Sequence, residues 1–147
     1  MRQLSDADRL RCLPVRSLVT APHIVVTAAV IERGGRFLLT RRLRGTHLEG
    51  SWEFPGGKCE PGETRHACLE REIREELAAD LRIGSEILAV THPYPDRVVE
   101  LHFFACELVG EPRPMIGQEM RWVPRDDLKS LELPPADAEL IELLSRA

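Results

Sequence analysis

Nowhere in this chain do about 18 apolar residues run together, which is the least a membrane-crossing helix needs, so a helical span is excluded. Lysine is almost missing: Lys58 and Lys129 are the only two, and the remaining basic residues are arginine. Arginine's planar fork suits phosphate oxygens, yet a bias spread over the whole chain marks no single site. An excess of positive charge is also lacking. A net charge of −4 gives no general attraction to a nucleic-acid polymer, and leaves room only for a local basic patch able to hold a mononucleotide. The four cysteines, Cys12, Cys59, Cys68 and Cys106, contain no C-x-x-C pair and are too scattered for zinc-ligand spacing, so reduced thiols are expected. Asp6, Asp8, Arg9 and Arg11 interrupt Met1 to Leu13 where a secretory signal needs an unbroken apolar stretch, which points to the cytoplasm.

A chain of 147 residues suits one core and one domain, expected over residues 23–147. Residues 1–22 read as an N-terminal extension, either a short helix using Leu4, Leu10 and Leu13 or a disordered segment. Ile24 to Ile31 and Arg36 to Thr40 are predicted strands joined as a hairpin by Gly34-Gly35. Arg41 to Gly62 carries loop chemistry, Pro55, Gly56, Gly57, Pro61 and Gly62 among it, broken by the short apolar piece Trp52 to Phe54. From Thr64 to about Leu77 the apolar residues Leu69, Ile73 and Leu77 recur every fourth position, which predicts a helix with one buried stripe. Ile87 to Thr91, Val98 to Leu108 and Met120 to Val123 read as further strands, with Pro93-Tyr94-Pro95-Asp96 as a turn. Pro134-Pro135 precedes a terminal amphipathic helix over about Ala136 to Ser145. The pattern is an α/β chain with a mixed sheet and helices packed on it.

Glu72, Glu75 and Glu76 stand at i, i+3 and i+4 and so share one face of the predicted helix. Like charges at that spacing destabilise a helix, and the apolar stripe beside them keeps water from surrounding the cluster. Arg71 sits four residues before Glu75 and can orient it, but one arginine does not neutralise three carboxylates. Mg²⁺ takes oxygen ligands, commonly one or two carboxylates together with substrate phosphates, so a clustered glutamate face fits its demand. Standing alone, an R-E-x-x-E-E string is more often a solvated acidic face. Here Gly56-Gly57-Lys58 and Pro61-Gly62-Glu63 precede it, a glycine-rich loop through which backbone can approach a metal or phosphate closely.

Gly57, Glu63, Arg71, Glu72, Ile73, Glu75 and Glu76 together match the Nudix box, G-x5-E-x7-R-E-U-x-E-E-x-G-U, where U is a bulky aliphatic. The match fails at its end, where Ala78 replaces the family's glycine and Ala79 the aliphatic. Either the helix continues toward Asp80, or Ala78 adopts a strained left-handed turn. Outside the box, Thr40-Arg41-Arg42, Trp52 to Lys58, Pro95-Asp96-Arg97 and Pro134 to Asp137 resemble the MutT-type Nudix enzymes, over about residues 25–144.

That resemblance implies an α/β/α sandwich with a loop-helix-loop Nudix box. It also implies two or three Mg²⁺ ions with substrate bound, Mn²⁺ as a substitute, and hydrolysis of a nucleoside triphosphate to monophosphate and pyrophosphate. Carried over residue by residue, it gives Glu72, Glu75, Glu76 and the Gly56 carbonyl as metal ligands. Arg71 orients the glutamates, Lys58 contacts phosphate, and Glu63 serves a further ion or supports the loop. Glu119 is a candidate ligand or general base, with a box glutamate as the other candidate for the base and a plain surface acid as the alternative for Glu119. Glu53 is either structural or beside the metals.

Arg42, Phe54, Asp96, Arg97 and Asp137 are the candidate substrate contacts, each with an ordinary alternative: core for Phe54, a turn pair for Asp96 and Arg97, a helix cap for Asp137. An ionised Asp137 only accepts hydrogen bonds, which leaves an oxidised purine such as 8-oxo-dGTP and a cytidine nucleotide such as CTP or 5-methyl-dCTP both open. Two rivals are an ADP-ribose-type hydrolase and a non-catalytic nucleotide-binding module. The nucleotide is the expected partner of a monomer or homodimer, without membrane or nucleic-acid polymer.

Overall fold

The β-branched run beginning at Ile24 becomes the central strand. In the computed structural model, which describes residues 22–46 and 49–146, it is β1 (His23–Arg33). After it come β2 (Arg36–Arg41), β3 (Trp52–Glu53), β4 (Gly56–Lys58), α1 (Arg65–Leu77), β5 (Asp80–Tyr94), β6 (Arg97–Val109) and β7 (Met120–Pro124). Two 3₁₀ turns, Arg125–Ser130 and Pro135–Asp137, lead into α2 (Ala138–Arg146). The N-terminal extension expected over residues 1–22 lies, apart from Pro22, outside the described residues.

The sheet runs β3-β2-β1-β6-β5, with β4 added to β1 and β7 to β2. β1 and β6 are parallel and the other pairs antiparallel, so the sheet is mixed. Alternation along the strands splits the core into two layers, because successive side chains of a strand point to opposite faces. Ala28 and Val30 of β1, Phe37 and Leu39 of β2, and Phe103 of β6 pack with Leu140, Ile141 and Leu144 of α2. Their neighbours Ala29, Ile31, Leu38 and Phe104 pack with Leu69, Ile73 and Leu77 of α1. The result is the expected α/β/α sandwich.

Three elements differ from the sequence reading. β5 begins at Asp80 and ends at Tyr94, well outside the Ile87–Thr91 run, because β6 zips it along its length through two register shifts between Ile83 and Leu88. Tyr94 accordingly closes a strand and only Pro95-Asp96 turns. β4 lies within the predicted loop, held by backbone pairing to β1 that glycine side-chain patterning does not reveal.

The helix carrying the glutamates starts and stops where local chemistry demands. Thr64 caps it, its Oγ1 accepting from the Ala67 amide at 3.1 Å. At the other end Ala78 takes φ 52° and ψ 38°, so the strained left-handed turn is the outcome and the helix does not continue toward Asp80. The loop between β6 and β7 supplies partners for the free carbonyls there. Arg113 N donates to Leu77 O at 2.8 Å, and Met115 N and the Gln118 side-chain amide donate to Glu76 O at 2.9 and 3.1 Å.

Candidate active site

β4 and the first turns of α1 press the glycine loop against the glutamate face. A Cβ on Gly56 would run into the Thr27 and Ala28 backbone, so glycine is obligatory there, and one on Gly57 would displace the Glu72 carboxylate. Ala29 N donates to Pro55 O at 2.8 Å and Cys59 N to Val25 O at 2.9 Å. Because antiparallel ladders alternate, the intervening Gly56 turns its own N–H and C=O away from β1. That amide meets the Glu76 carboxylate.

Arg71 organises the outer half of the cluster. It donates through Nε and Nη2 to both Glu63 oxygens, at 2.7 and 2.9 Å, through Nη1 to Glu72 at 2.9 Å and Glu75 at 3.3 Å, and to the Lys58 carbonyl at 3.1 Å. This guanidinium, helped by the Glu60 amide, holds the Glu63 carboxyl down at about 2. Glu75 is well exposed, its carboxylate reaching Arg71 from the helix surface.

Glu76 is the inner member. Burial, then the neighbouring Glu72 and Glu53 carboxylates, push it up to about 9, against the lowering effect of the Gly56 amide. Arg71 bonds Glu72 and Arg42 bonds Glu53 at 2.9 Å, while among the described residues no cation pairs with Glu76. An all-oxygen donor set with surplus negative charge suits a hard divalent cation. Among the described residues, no three His, Cys, Asp or Glu side chains already stand around one ion position. Glu72, Glu76 and Gly56 are gathered; Glu75 is drawn outward to Arg71, and Glu119 is exposed and paired with Arg41 at 2.9 Å.

A cavity of about 410 Å³ opens beside Glu76. Arg42, Phe54, Lys58, Arg97 and Asp137, five of the six candidate substrate contacts, line it. Asp96 does not; its carboxylate is taken by Arg97 at 2.9 Å. Phe54 is buried and stacks edge-on against Phe103, with centroids 6.2 Å apart, so it is at once core and wall. Asp137 is 4% exposed. It sits at the end of the second 3₁₀ turn, directly before α2. Burial, with the nearby Glu53 charge, raises its carboxyl to about 7. That shift brings the protonated form, which donates as well as accepts, within reach near neutrality.

Two participants escaped the sequence reading. Tyr94 lines the cavity, and its hydroxyl bonds the Ala136 backbone next to Asp137. It is the chain's single tyrosine, set between two prolines, a signal that was visible but read as a turn. Gln118, 5% exposed, ties the β6–β7 loop to the helix end, a role no local pattern announces.

The NUDIX domain model matches residues 26–143. The chain therefore belongs to the NUDIX domain family and is a Nudix hydrolase. It is 34% identical to the CTP pyrophosphohydrolase of Escherichia coli K12 over 120 residues, covering 81% of this chain and 89% of that one. It is 37% identical to the 8-oxo-dGTP diphosphatase of Haemophilus influenzae over 124 residues, covering 82% and 90%. The solution structure of the E. coli ORF135 protein, 32% identical, superposes with a TM-score of 0.76 over 88% of this chain and 94% of that one. No helix among the described residues is long and apolar enough to cross a membrane.

Proposed function

We propose that the chain hydrolyses a nucleoside triphosphate to the monophosphate and pyrophosphate, with Mg²⁺ as its ion and Mn²⁺ as a substitute. The observation that carries this reading is the Glu76 carboxylate. It is half-buried beside two other carboxylates, bonded by the Gly56 amide and, among the described residues, without a cation of its own, at the wall of a cavity sized for a nucleotide. Glu72, Glu76, Glu75 and the Gly56 carbonyl hold the ions, two or three with substrate present, and Arg71 positions the glutamates. When bound, a divalent ion neutralises phosphate charge and acidifies water enough for attack near neutral pH.

The protein's own work is then positioning and charge compensation around an in-line displacement. Lys58, Arg42 and Arg97 line the cavity as cations for the phosphates and sugar. Phe54 offers a ring to the base, and Asp137 a hydrogen-bonding edge. The exposed Arg41–Glu119 pair favours a box glutamate over Glu119 as general base, since Glu119 must first leave its arginine. Relatives named for 8-oxo-dGTP and for CTP support a base of the guanine or cytosine class, and a neutral Asp137 can pair with the adjacent donor and acceptor of either. Such an activity would clear unwanted nucleotides from the cytoplasmic pool.

The test is a panel of 8-oxo-dGTP, dGTP, CTP, 5-methyl-dCTP and ADP-ribose with Mg²⁺, measuring pyrophosphate and phosphate release. Pyrophosphate from a triphosphate is the expected product. Folded, Mg²⁺-responsive protein that turns over none of them makes this a binding module instead, and turnover of ADP-ribose alone moves the site to a different substrate class.

A further inference from the structure

Cys59 and Cys68 meet at the root of the glycine loop. The β1–β4 ladder sets Cys59 opposite Val25, the Cys59 amide donating to the Val25 carbonyl at 2.9 Å. Residues opposed across a ladder point to the same face, and Val25 shares its face with Thr27 by the two-residue period. Thr27 Oγ1 lies 3.2 Å from the Cys68 sulfur. Both thiols are therefore neighbours on the α1 face, near enough for Cys59 to act on the Cys68 thiol.

Their surroundings differ. Cys68 is fully buried, its Sγ donating to the Gly57 carbonyl at 3.7 Å, and burial pushes its thiol up to about 12. Cys59 is half-buried and lines an open groove with Lys58, Arg65 and His66, apart from the nucleotide cavity's floor. An oxidant in solution reaches Cys59 first and finds Cys68 behind it.

We propose that Cys59 and Cys68 are a modification site, a dithiol that a hydroperoxide closes into an intramolecular disulfide. Cys59 sulfur attacks hydrogen peroxide, the O–O bond breaks, and a sulfenic acid forms on Cys59 with release of one water. Cys68 sulfur then attacks Cys59 sulfur; the S–O bond breaks, the S–S bond forms, and the Cys68 proton leaves with the hydroxyl as a second water. Two thiols lose two electrons, and one peroxide becomes two waters.

The disulfide reports to the ion site through two contacts. An S–S bond of about 2.05 Å draws the sulfurs well inside their present contact, and the oxidised Cys68 no longer donates to the Gly57 carbonyl. It also loses the proton that helps hold down the Glu63 carboxyl, which Arg71 clamps. Closure therefore disturbs the loop and the clamp together and weakens ion binding. That consequence rests on the proposed hydrolase site; the linkage itself does not.

The experiment exposes the reduced full chain to stoichiometric hydrogen peroxide, alkylates what remains, and maps disulfides by peptide mass. In parallel, the Mg²⁺ concentration giving half the maximal rise in Tm is measured before and after oxidation. A linked Cys59–Cys68 peptide is expected, absent from Cys59→Ser, retained in Cys106→Ser and reversed by dithiothreitol, with the Mg²⁺ midpoint raised roughly tenfold. Cys59 recovered as sulfinic acid, or joined to Cys12 or Cys106, overturns the site. A correct linkage with an unmoved midpoint overturns its connection to the ion. A reduced chain indifferent to Mg²⁺ sinks the hydrolase reading, and a mapped linkage in that same chain still supports the dithiol.

Discussion

Arg71 closes on Glu63 as a two-point fork, Nε to Oε2 at 2.7 Å and Nη2 to Oε1 at 2.9 Å, and reaches Glu72 and Glu75 with its remaining nitrogen. The loop glutamate thus positions the arginine that positions the helix glutamates. Glu63→Gln loses the charged half of the fork and is expected to lower kcat/KM by ~10–100-fold, the usual effect of losing a group that orients metal ligands. The pH signature is specific. The Glu63 carboxyl lies at about 2 in the fold against an ordinary 4.5, so its stabilisation is complete above about 4.5 and drains away as pH falls toward 2. Melting curves of the wild type and variant should run apart at neutral pH and converge over that window. A constant gap down to pH 2 refutes the clamp.

Ala78 is the one described non-glycine residue at positive φ, and the family's glycine belongs there. Left-handed backbone costs an alanine ~1–2 kcal/mol, part of which glycine returns through its freer unfolded chain. The bonds from Arg113, Met115 and Gln118 to the last carbonyls hold the turn in spite of that cost. Ala78→Gly should therefore raise Tm, by ~2–4 °C for a net gain of about 1 kcal/mol. Activity should be unchanged, because the glutamates precede the turn. A fall in Tm on calorimetry shows that the left-handed conformation is not strained in solution.

Among the described residues Glu76 has no paired cation and two carboxylate neighbours, so the ion-free protein carries it at a cost. Glu76→Gln is expected to melt higher than the wild type in chelator and to gain nothing from Mg²⁺. The wild type should gain by mass action, about 2.7 kcal/mol at a hundredfold excess over Kd. Turnover should fall ~10³-fold, since several kcal/mol of charge stabilisation goes with the ligand. An equal Mg²⁺ shift in both proteins removes Glu76 from the ion site.

The sequence showed most where a residue's identity and its neighbours' spacing encode the same demand. The stripe Leu69, Ile73, Leu77 marked the helix, and the glutamates followed at their spacing. What stayed hidden was set by partners distant along the chain. β4 is a strand only because Val25 to Ala28 lie beside it, and Asp80 to Glu86 becomes strand because β6 reaches that far. Five of the six substrate contacts named from resemblance line the cavity, but the turn of Asp96 onto Arg97 is a matter of side-chain geometry that spacing does not carry. Nor does a sequence show burial, which is what raises the Asp137 carboxyl.

That change has consequences for selectivity and stability. Asp137 titrates at about 7 in the fold and at an ordinary 3.8 when unfolded, so the folded state holds the proton more tightly. Its contribution to stability is complete below about 3.8 and is lost as pH rises through 7, because the buried group must then ionise. Asp137→Asn cannot ionise and should melt above the wild type at pH 8, with the gap narrowing toward pH 5. Preference should move in parallel. As pH rises from 6 to 8 the wild type loses the donor on Asp137, and its ratio of kcat/KM between guanine and cytosine nucleotides should shift; the asparagine variant keeps both donor and acceptor, and its ratio should stay flat. Measuring that ratio rather than the rate separates base recognition from the ionisations of the hydrolytic centre, which act on every substrate alike. A ratio that moves identically in both proteins takes Asp137 out of base recognition and leaves it a buried structural acid.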